Sequence, residues 1–186
     1  MTLAEIMRLA LRQLDEDPAD IGDFSDLFRS YANLGYKIAV SRFYKPKETF
    51  VLHTDDTGSA SIEDKPIEHI ISLKDDAGRD VRWRISPDGT KVETVLRDAQ
   101  LTAVCIVSYP PMAADTDTPR FPEHAHHGLV DYICYRQLAN GNAAKQSRAM
   151  LFYQSFEQTM RTIMPPGRTY EFNNLYAATD IRNVGW

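Results

Sequence analysis

The spacing of apolar residues changes twice along this chain, and those two changes constrain the fold more than any other feature. Up to Phe43 apolar side chains recur at helical intervals, from Thr49 to Tyr109 they fall in short alternating segments, and after Pro122 helical spacing returns. A period of 3.6 residues indicates helices and a period of two indicates strands. The sequence therefore predicts an α+β fold, in which an antiparallel β subdomain is inserted into a bundle of about four helices.

The N-terminal helix pair is predicted at residues 1–46. Thr2 and Glu5 have the spacing of a capping box, and the first helix continues to about Asp15. Charged residues inside its apolar pattern, Arg8 and Arg12, are typical of an amphipathic helix and not of a signal peptide.

An acidic stretch at residues 15–26 separates the two N-terminal helices. A calcium loop is one interpretation, but Pro18 interrupts the stretch and the spaced ligands of such a loop are missing, so capping and solvation are favoured. The second helix is predicted to start near Asp23 or Ser25 and to end at Phe43.

The inserted β subdomain is predicted at residues 47–109. Strand patterns every eight to twelve residues, without a helix between them, indicate an antiparallel sheet closed as a small sandwich or barrel. Trp83 alternates with two arginines and is expected to be buried. The predicted strands are 49–53, 67–73, 81–85, 91–96 and 101–109, and polar, glycine-bearing turns are predicted at 55–58, 75–78 and 87–89.

The C-terminal helix pair is predicted at residues 110–164. Pro122 suits the first position of the third helix, which ends near Asn140. The fourth helix extends from about 143 to 163. Residues 165–186 are rich in aromatic side chains but lack sustained periodicity, so they are predicted to form an extended C-terminal tail.

One polar cluster has residue types that could do chemistry. His124 and His127 are three residues apart, so they share a helix face, and Asp131 follows on that face. A metal site or acid–base catalysis is possible there, but no nucleophile or phosphate-binding motif accompanies the cluster, and a face toward solvent or a neighbouring subunit is favoured. We therefore assign no catalytic, cofactor-binding or metal-binding residue. Cys105 and Cys134 are expected to be small core residues.

Charge and hydropathy exclude two further classes of protein. The formal net charge of −5 argues against a protein that coats nucleic acid. No apolar run approaches the roughly 20 residues of a membrane helix, so no membrane association is expected.

Four segments occur in an order that resembles a known family. These are ANLGYKIA at 32–39, VSYPPM at 107–112, PEHAHHGLVDY at 122–132 and KQSRAMLFYQSF at 145–156. In this layout the chain is similar to the head-to-tail adaptor (connector) proteins of tailed bacteriophages.

The resemblance implies a structural protein of the virion neck that is assembled in the host cytoplasm, without enzymatic activity or cofactor. Copies would form a ring, commonly of twelve, beneath the portal protein. The ring would extend the DNA channel, let DNA pass without sequence-specific binding, and dock the next neck or tail protein. Another neck or tail-completion (stopper) component remains an alternative, as does, less favoured, a small metal-dependent enzyme that uses the cluster of His124, His127 and Asp131.

Two sets of residues are expected to make the contacts of such a ring. The second and fourth helices have more apolar side chains than one buried face needs, so they are expected to contact neighbouring copies. An apolar tail without a regular element is expected to contact the portal or a neighbour. The expected ring-interface residues are Phe28, Tyr31, Tyr36, Phe152, Tyr153 and Phe156, and the expected tail contacts are Tyr170, Phe172, Leu175, Tyr176 and Trp186.

Overall fold

The computed structural model describes residues 1–17 and 21–165. The helices are α1 (Leu3–Gln13), α2 (Ile21–Ile38), α3 (His127–Leu138) and α4 (Ala143–Arg161). The strands are β1 (Lys47–His53), β2 (Ser59–Ser61), β3 (Ile67–Asp75), β4 (Trp83–Ile85), β5 (Lys91–Thr94) and β6 (Gln100–Val107). These elements confirm the predicted α+β fold, whereas the predicted tail lies outside the described residues from position 166 onward.

Helix α1 begins as its sequence predicts. The Thr2 hydroxyl accepts a hydrogen bond from the Glu5 amide at 3.3 Å, and the Glu5 carboxylate accepts one from the Thr2 amide at 2.8 Å. The free amide of Leu3 donates to the carbonyl of Asp117 at 2.8 Å. The capping box is confirmed, and the loop between β6 and α3 completes the cap.

Helix α2 starts slightly earlier than predicted and continues into a π-helical turn, Ala39–Tyr44, which the sequence did not predict. The turn places the ring of Phe43 6.2 Å from that of Phe156 on α4. Lys45 then adopts a left-handed conformation (φ 44°, ψ 64°) ahead of Pro46, so the helical stretch ends where the proline requires it.

Helix α3 is the centre of the bundle. It packs against α1, α2 and α4, and every residue from Gly128 to Cys134 is buried. Its approach to α2 is close at Gly35, where an added Cβ would lie 2.8 Å from the Tyr132 ring. Because all sides of α3 are covered, α2 and α4 turn their outer faces away from it.

The β subdomain consists of two three-stranded antiparallel sheets, ordered β1-β6-β3 and β2-β5-β4. Both sheets contribute to one apolar core that includes Leu52 and Leu101 from the first and Ala60 and Val92 from the second. The sequence left a small sandwich or a barrel open, and the structure is the sandwich. Strand β2 was not predicted, because three residues are too short to establish a period.

Trp83 is not fully buried, contrary to the prediction. Its side chain is only partly buried against the sandwich core, and Ile85 on the same strand is 40% exposed. Strand β4 lies at the edge of its sheet, so only part of its inner face is covered.

The start of α3 also differs from the prediction. Pro122 is the cap of a short 3-10 helix (Glu123–Ala125), with φ −53° and ψ 135°, and α3 itself begins at His127. Helix α4 begins as predicted, with the Asn142 side chain accepting a hydrogen bond from the Lys145 amide at 3.0 Å.

Candidate assembly surface

The six residues predicted for contacts between copies divide into two groups. Phe28 and Phe156 are 0% exposed and Tyr36 is 3% exposed, so these three side chains belong to the monomer's own core. Their assignment to a surface between copies is corrected accordingly. Tyr31, Phe152 and Tyr153 are partly buried at the margin of that core and retain exposed edges.

The outer face of α2 carries a stripe of apolar side chains, which we call the α2 patch: Leu27, Tyr31 and Leu34. Leu27 is 43% exposed and Leu34 is 39% exposed. The guanidinium of Arg136, on α3, lies 5.5 Å from the centre of the Tyr31 ring. The buried Nε of Arg136 has no hydrogen-bond partner in the described part of the chain. The patch is therefore apolar along its length, with a cation at one side.

The outer face of α4 carries a second group, the α4 patch: Met150 and Leu151, which are 52% and 66% exposed. Phe152 beside them lies under the Arg148 guanidinium, 5.7 Å from ring to cation, and Tyr153 packs on Tyr135 at 4.9 Å between centroids. These two aromatic residues are thus mostly buried within the monomer, whereas Met150 and Leu151 are among the apolar side chains of the fourth helix that the sequence predicts for contact between copies.

A groove of ≈ 520 Å³ lies between α2 and the β subdomain. Leu34, Lys37 and Val40 line its helical side, and Glu68 and Tyr109 line the other. Burial raises the pKa of the Tyr109 hydroxyl above its ordinary value. The groove is continuous with the α2 patch through Leu34.

The polar cluster at the start of α3 is not assembled into a metal site. His124 Nε2 lies 3.1 Å from the Thr162 hydroxyl, whereas His127 Nε2 lies 3.2 Å from the amide nitrogen of Gln13 on α1. Among residues 1–17 and 21–165, no group of three His, Cys, Asp or Glu side chains could hold a metal ion. His124, on the 3-10 helix, therefore contacts the C-terminal end of α4, whereas His127, on α3, contacts α1.

Asp131, the third member of that cluster, is 4% exposed and accepts a hydrogen bond from the Ser155 hydroxyl of α4 at 2.7 Å. Burial raises the pKa of its carboxyl above the ordinary value, while the Ser155 hydrogen bond and the nearby His127 oppose that rise. Asp131 thus joins the two C-terminal helices inside the bundle.

Both cysteines are buried and lack the environment of a reactive thiol. Burial raises the pKa of Cys105 to about 11 and that of Cys134 to about 12. The Cys134 thiol lies within hydrogen-bond reach of the Ala10 carbonyl, at 3.7 Å. Because only a thiolate is a good nucleophile, these side chains act as core residues, as the sequence predicts.

The predicted turns share one construction but not one location. The Asp55 carboxylate accepts hydrogen bonds from the Thr57 and Ser59 amides, and Asp75 accepts them from two amides in the same way. A hydrogen bond from the Thr57 hydroxyl, followed by those from the amides, lowers the pKa of the Asp55 carboxyl, and hydrogen bonds from the Arg79 amide and guanidinium lower that of Asp75. The 55–58 and 75–78 turns follow the ends of β1 and β3 that lie away from the helices, whereas the 87–89 turn joins β4 and β5 of the other sheet.

The predicted tail contacts, Tyr170, Phe172, Leu175, Tyr176 and Trp186, lie outside the described residues. In the described part of the chain, no helix combines the length and the apolar character of a membrane span.

A helical bundle that exposes apolar patches on two of its helices, with its thiols and the polar cluster of His124, His127 and Asp131 used in packing, has the features of a structural assembly protein. The chain belongs to the SU10 adaptor protein family, whose model matches residues 1–179. Membership confirms the resemblance to phage head-to-tail adaptors that the order of segments indicated.

One solved structure with a similar chain is the neck of an empty GTA particle computed with C6 symmetry. The two chains are 14% identical, the alignment covers 82% of this chain and 88% of that one, and the TM-score is 0.31. No curated protein matches the sequence.

Proposed function

We propose that this chain is a head-to-tail adaptor of a tailed phage, which forms a ring beneath the portal, extends the DNA channel and receives the next neck or tail protein. The observation that carries the proposal is membership of the SU10 adaptor family over residues 1–179. We propose twelve copies, the number common among phage adaptors, located in the virion neck and assembled in the host cytoplasm.

The surface of the monomer supports this function. The α2 and α4 patches leave four aliphatic side chains between 39% and 66% exposed, and such groups favour contact with other proteins. The net charge of −5 suits the wall of a DNA conduit, because repulsion lets a polyanion slide without being held.

The predicted role of the tail provides the first test. A chain that lacks residues 168–186 retains all described elements, so it should unfold with unchanged cooperativity, but it should no longer join the portal. The measurement is incorporation of full-length and truncated protein into virions, quantified by mass spectrometry of purified particles.

Normal incorporation of the truncated chain would rule out the tail contact.

A cryo-EM reconstruction of the neck tests the proposed function independently of the tail contact. Density for this chain directly beneath the portal is expected, and density farther down the neck would instead favour a stopper or tail-completion component. Absence of the chain from the neck would overturn the proposed function.

A further inference from the structure

We propose that neighbouring copies meet through the α2 patch of one copy and the α4 patch of the next, with the two helices antiparallel. The proposal rests on the ring function proposed above and names the partner of each patch as a second copy of this chain. It is carried by the exposed side chains of two helices and by their register.

The two patches lie on different sides of the monomer. Helix α3 stands between α2 and α4, and α4 approaches the α2 segment mainly through the π-helical turn at Ala39–Tyr44. Leu27 and Leu34 therefore point away from Met150 and Leu151. A ring requires two different surfaces on each subunit, whereas a patch that binds its own copy closes a dimer of two.

The helix segments that contain the patches match in length and carry opposite charges at their far ends. Asp23 and Leu34 are eleven residues apart on α2, and Met150 and Arg161 are eleven residues apart on α4. Eleven residues make about three helical turns and span roughly 16 Å, so both pairs lie on one helix face. An antiparallel alignment that places Leu34 against Met150 thus places the Asp23 carboxylate against the Arg161 guanidinium.

The available charges favour this orientation. Asp23 is exposed, and its side chain has no ion pair or hydrogen bond among the described residues. Arg161 is 70% exposed and only 4.0 Å from Glu157, a loose contact. A parallel alignment that places Leu34 against Met150 would instead put Asp23 beyond Ala143, the first residue of α4, so the Asp23 carboxylate would have no cation of α4 opposite it. The antiparallel alignment therefore pairs a carboxylate that has no partner among the described residues with a guanidinium that makes only a loose contact.

The contact is small, which is consistent with a ring completed on a partner. Stable two-protein interfaces bury about 800 Å² on each side, far more than a few side chains on one helix face provide. We expect this contact to form where the portal brings copies together, and the free chain to remain monomeric at micromolar concentration.

Engineered cysteines test the contact in assembled virions. Both native thiols are 0% exposed, so a new surface cysteine is a clean probe. Leu34→Cys combined with Met150→Cys should, after oxidation of purified virions, give a ladder of cross-linked species larger than dimers. Each single variant should give monomers only. Asp23→Cys combined with Arg161→Cys should give the same ladder, because only the antiparallel register joins those two positions.

Val95→Cys combined with Met150→Cys is the matched control, because Val95 is 82% exposed but lies on the β subdomain. No ladder is expected from this pair. Dimers from either single variant would show self-pairing of one patch and overturn the proposal. A ladder from the 34/150 pair without one from the 23/161 pair would overturn the antiparallel register.

The result separates this inference from the function on which it rests. Virions that contain the variants in the neck but give no ladder would overturn the interface and leave the adaptor function standing. Absence of even the unmodified chain from the neck would overturn both. As a second readout, Asp23→Arg or Arg161→Asp alone should lower the affinity of one copy for the next by up to about fivefold. The double variant should restore that affinity.

Discussion

Asp131 is the clearest example, among single residues, of a polar side chain used for packing. Its carboxyl is buried between α3 and α4, with the Ser155 hydroxyl as donor at 2.7 Å. Because burial raises its pKa in the folded state, this group favours folding below its unfolded pKa, and that contribution is lost as the pH rises through the folded value. At neutral pH the ionised carboxylate therefore costs stability.

Asp131→Asn removes that charge and keeps an oxygen to accept from Ser155. The variant should have a higher free energy of unfolding than the unmodified chain at pH 7. The difference should shrink toward roughly pH 4, the ordinary pKa of aspartic acid. Urea unfolding at a series of pH values measures it, with Ser155→Ala as the control that removes the donor. Equal stability of the two chains at pH 7 would contradict the assigned cost.

The predicted interface residues show what the sequence alone could tell at this scale. Apolar side chains surround the second helix, so a surplus beyond one buried face was predictable. Which of them face the chain's own core depends on where α1 and α3 lie. Phe28 and Tyr36 point toward those helices, whereas Leu27 and Leu34 point outward, and only the fold distinguishes the two sets.

At the scale of elements, α2 and α3 approach each other closely because Gly35 has no side chain. A Cβ at this position would lie 2.8 Å from Cδ1 of Tyr132, inside contact distance. Gly35→Ala should therefore lower the free energy of unfolding by about 1–3 kcal/mol, despite the better helix propensity of alanine. Urea unfolding monitored by circular dichroism is the measurement.

Gly22 provides a matched control on the same helix, since a Cβ there meets nothing within 4 Å. Gly22→Ala should leave stability unchanged or raise it by up to about 1 kcal/mol. If Gly35→Ala lowers the free energy of unfolding and Gly22→Ala raises it, the loss at Gly35 is due to packing against Tyr132. If both variants were stabilised, the close approach at Gly35 would not be a constraint.

The elements that were predicted correctly are those with several periods of pattern. Helices α1, α2 and α4 have caps or breaking prolines as well as a long apolar repeat, so their existence and approximate ends could be predicted from the sequence. The π-helical turn was not, because it depends on Phe43 packing against α4. The degree of burial of Trp83 depends on the order of strands in its sheet. The alternation of apolar and polar residues along one strand gives no information about that order.

In the molecule as a whole, residues 1–17 and 21–165 form two separate apolar cores. The described residues of the bundle core all lie before position 47 or after position 107, whereas those of the sandwich core all lie between these positions. The two ends of the insert meet, since the Val107 amide donates to the Pro46 carbonyl at 3.1 Å. We therefore expect the helix pairs and the β subdomain to fold as two independent units, separated at the predicted boundary.

Removal of residues 47–107, with a short glycine linker in their place, tests that expectation. The bundle should keep its helical circular dichroism and unfold cooperatively, because its core loses no buried residue. Leu101→Ala in the full chain is the companion variant: Leu101 is 0% exposed in the sandwich, so about 2–5 kcal/mol of stability should be lost there. Its unfolding curve should separate into an early transition of the strands and a later one of the helices. A single early transition of the whole chain, or a shortened chain without cooperative unfolding, would show that the two cores fold as one unit.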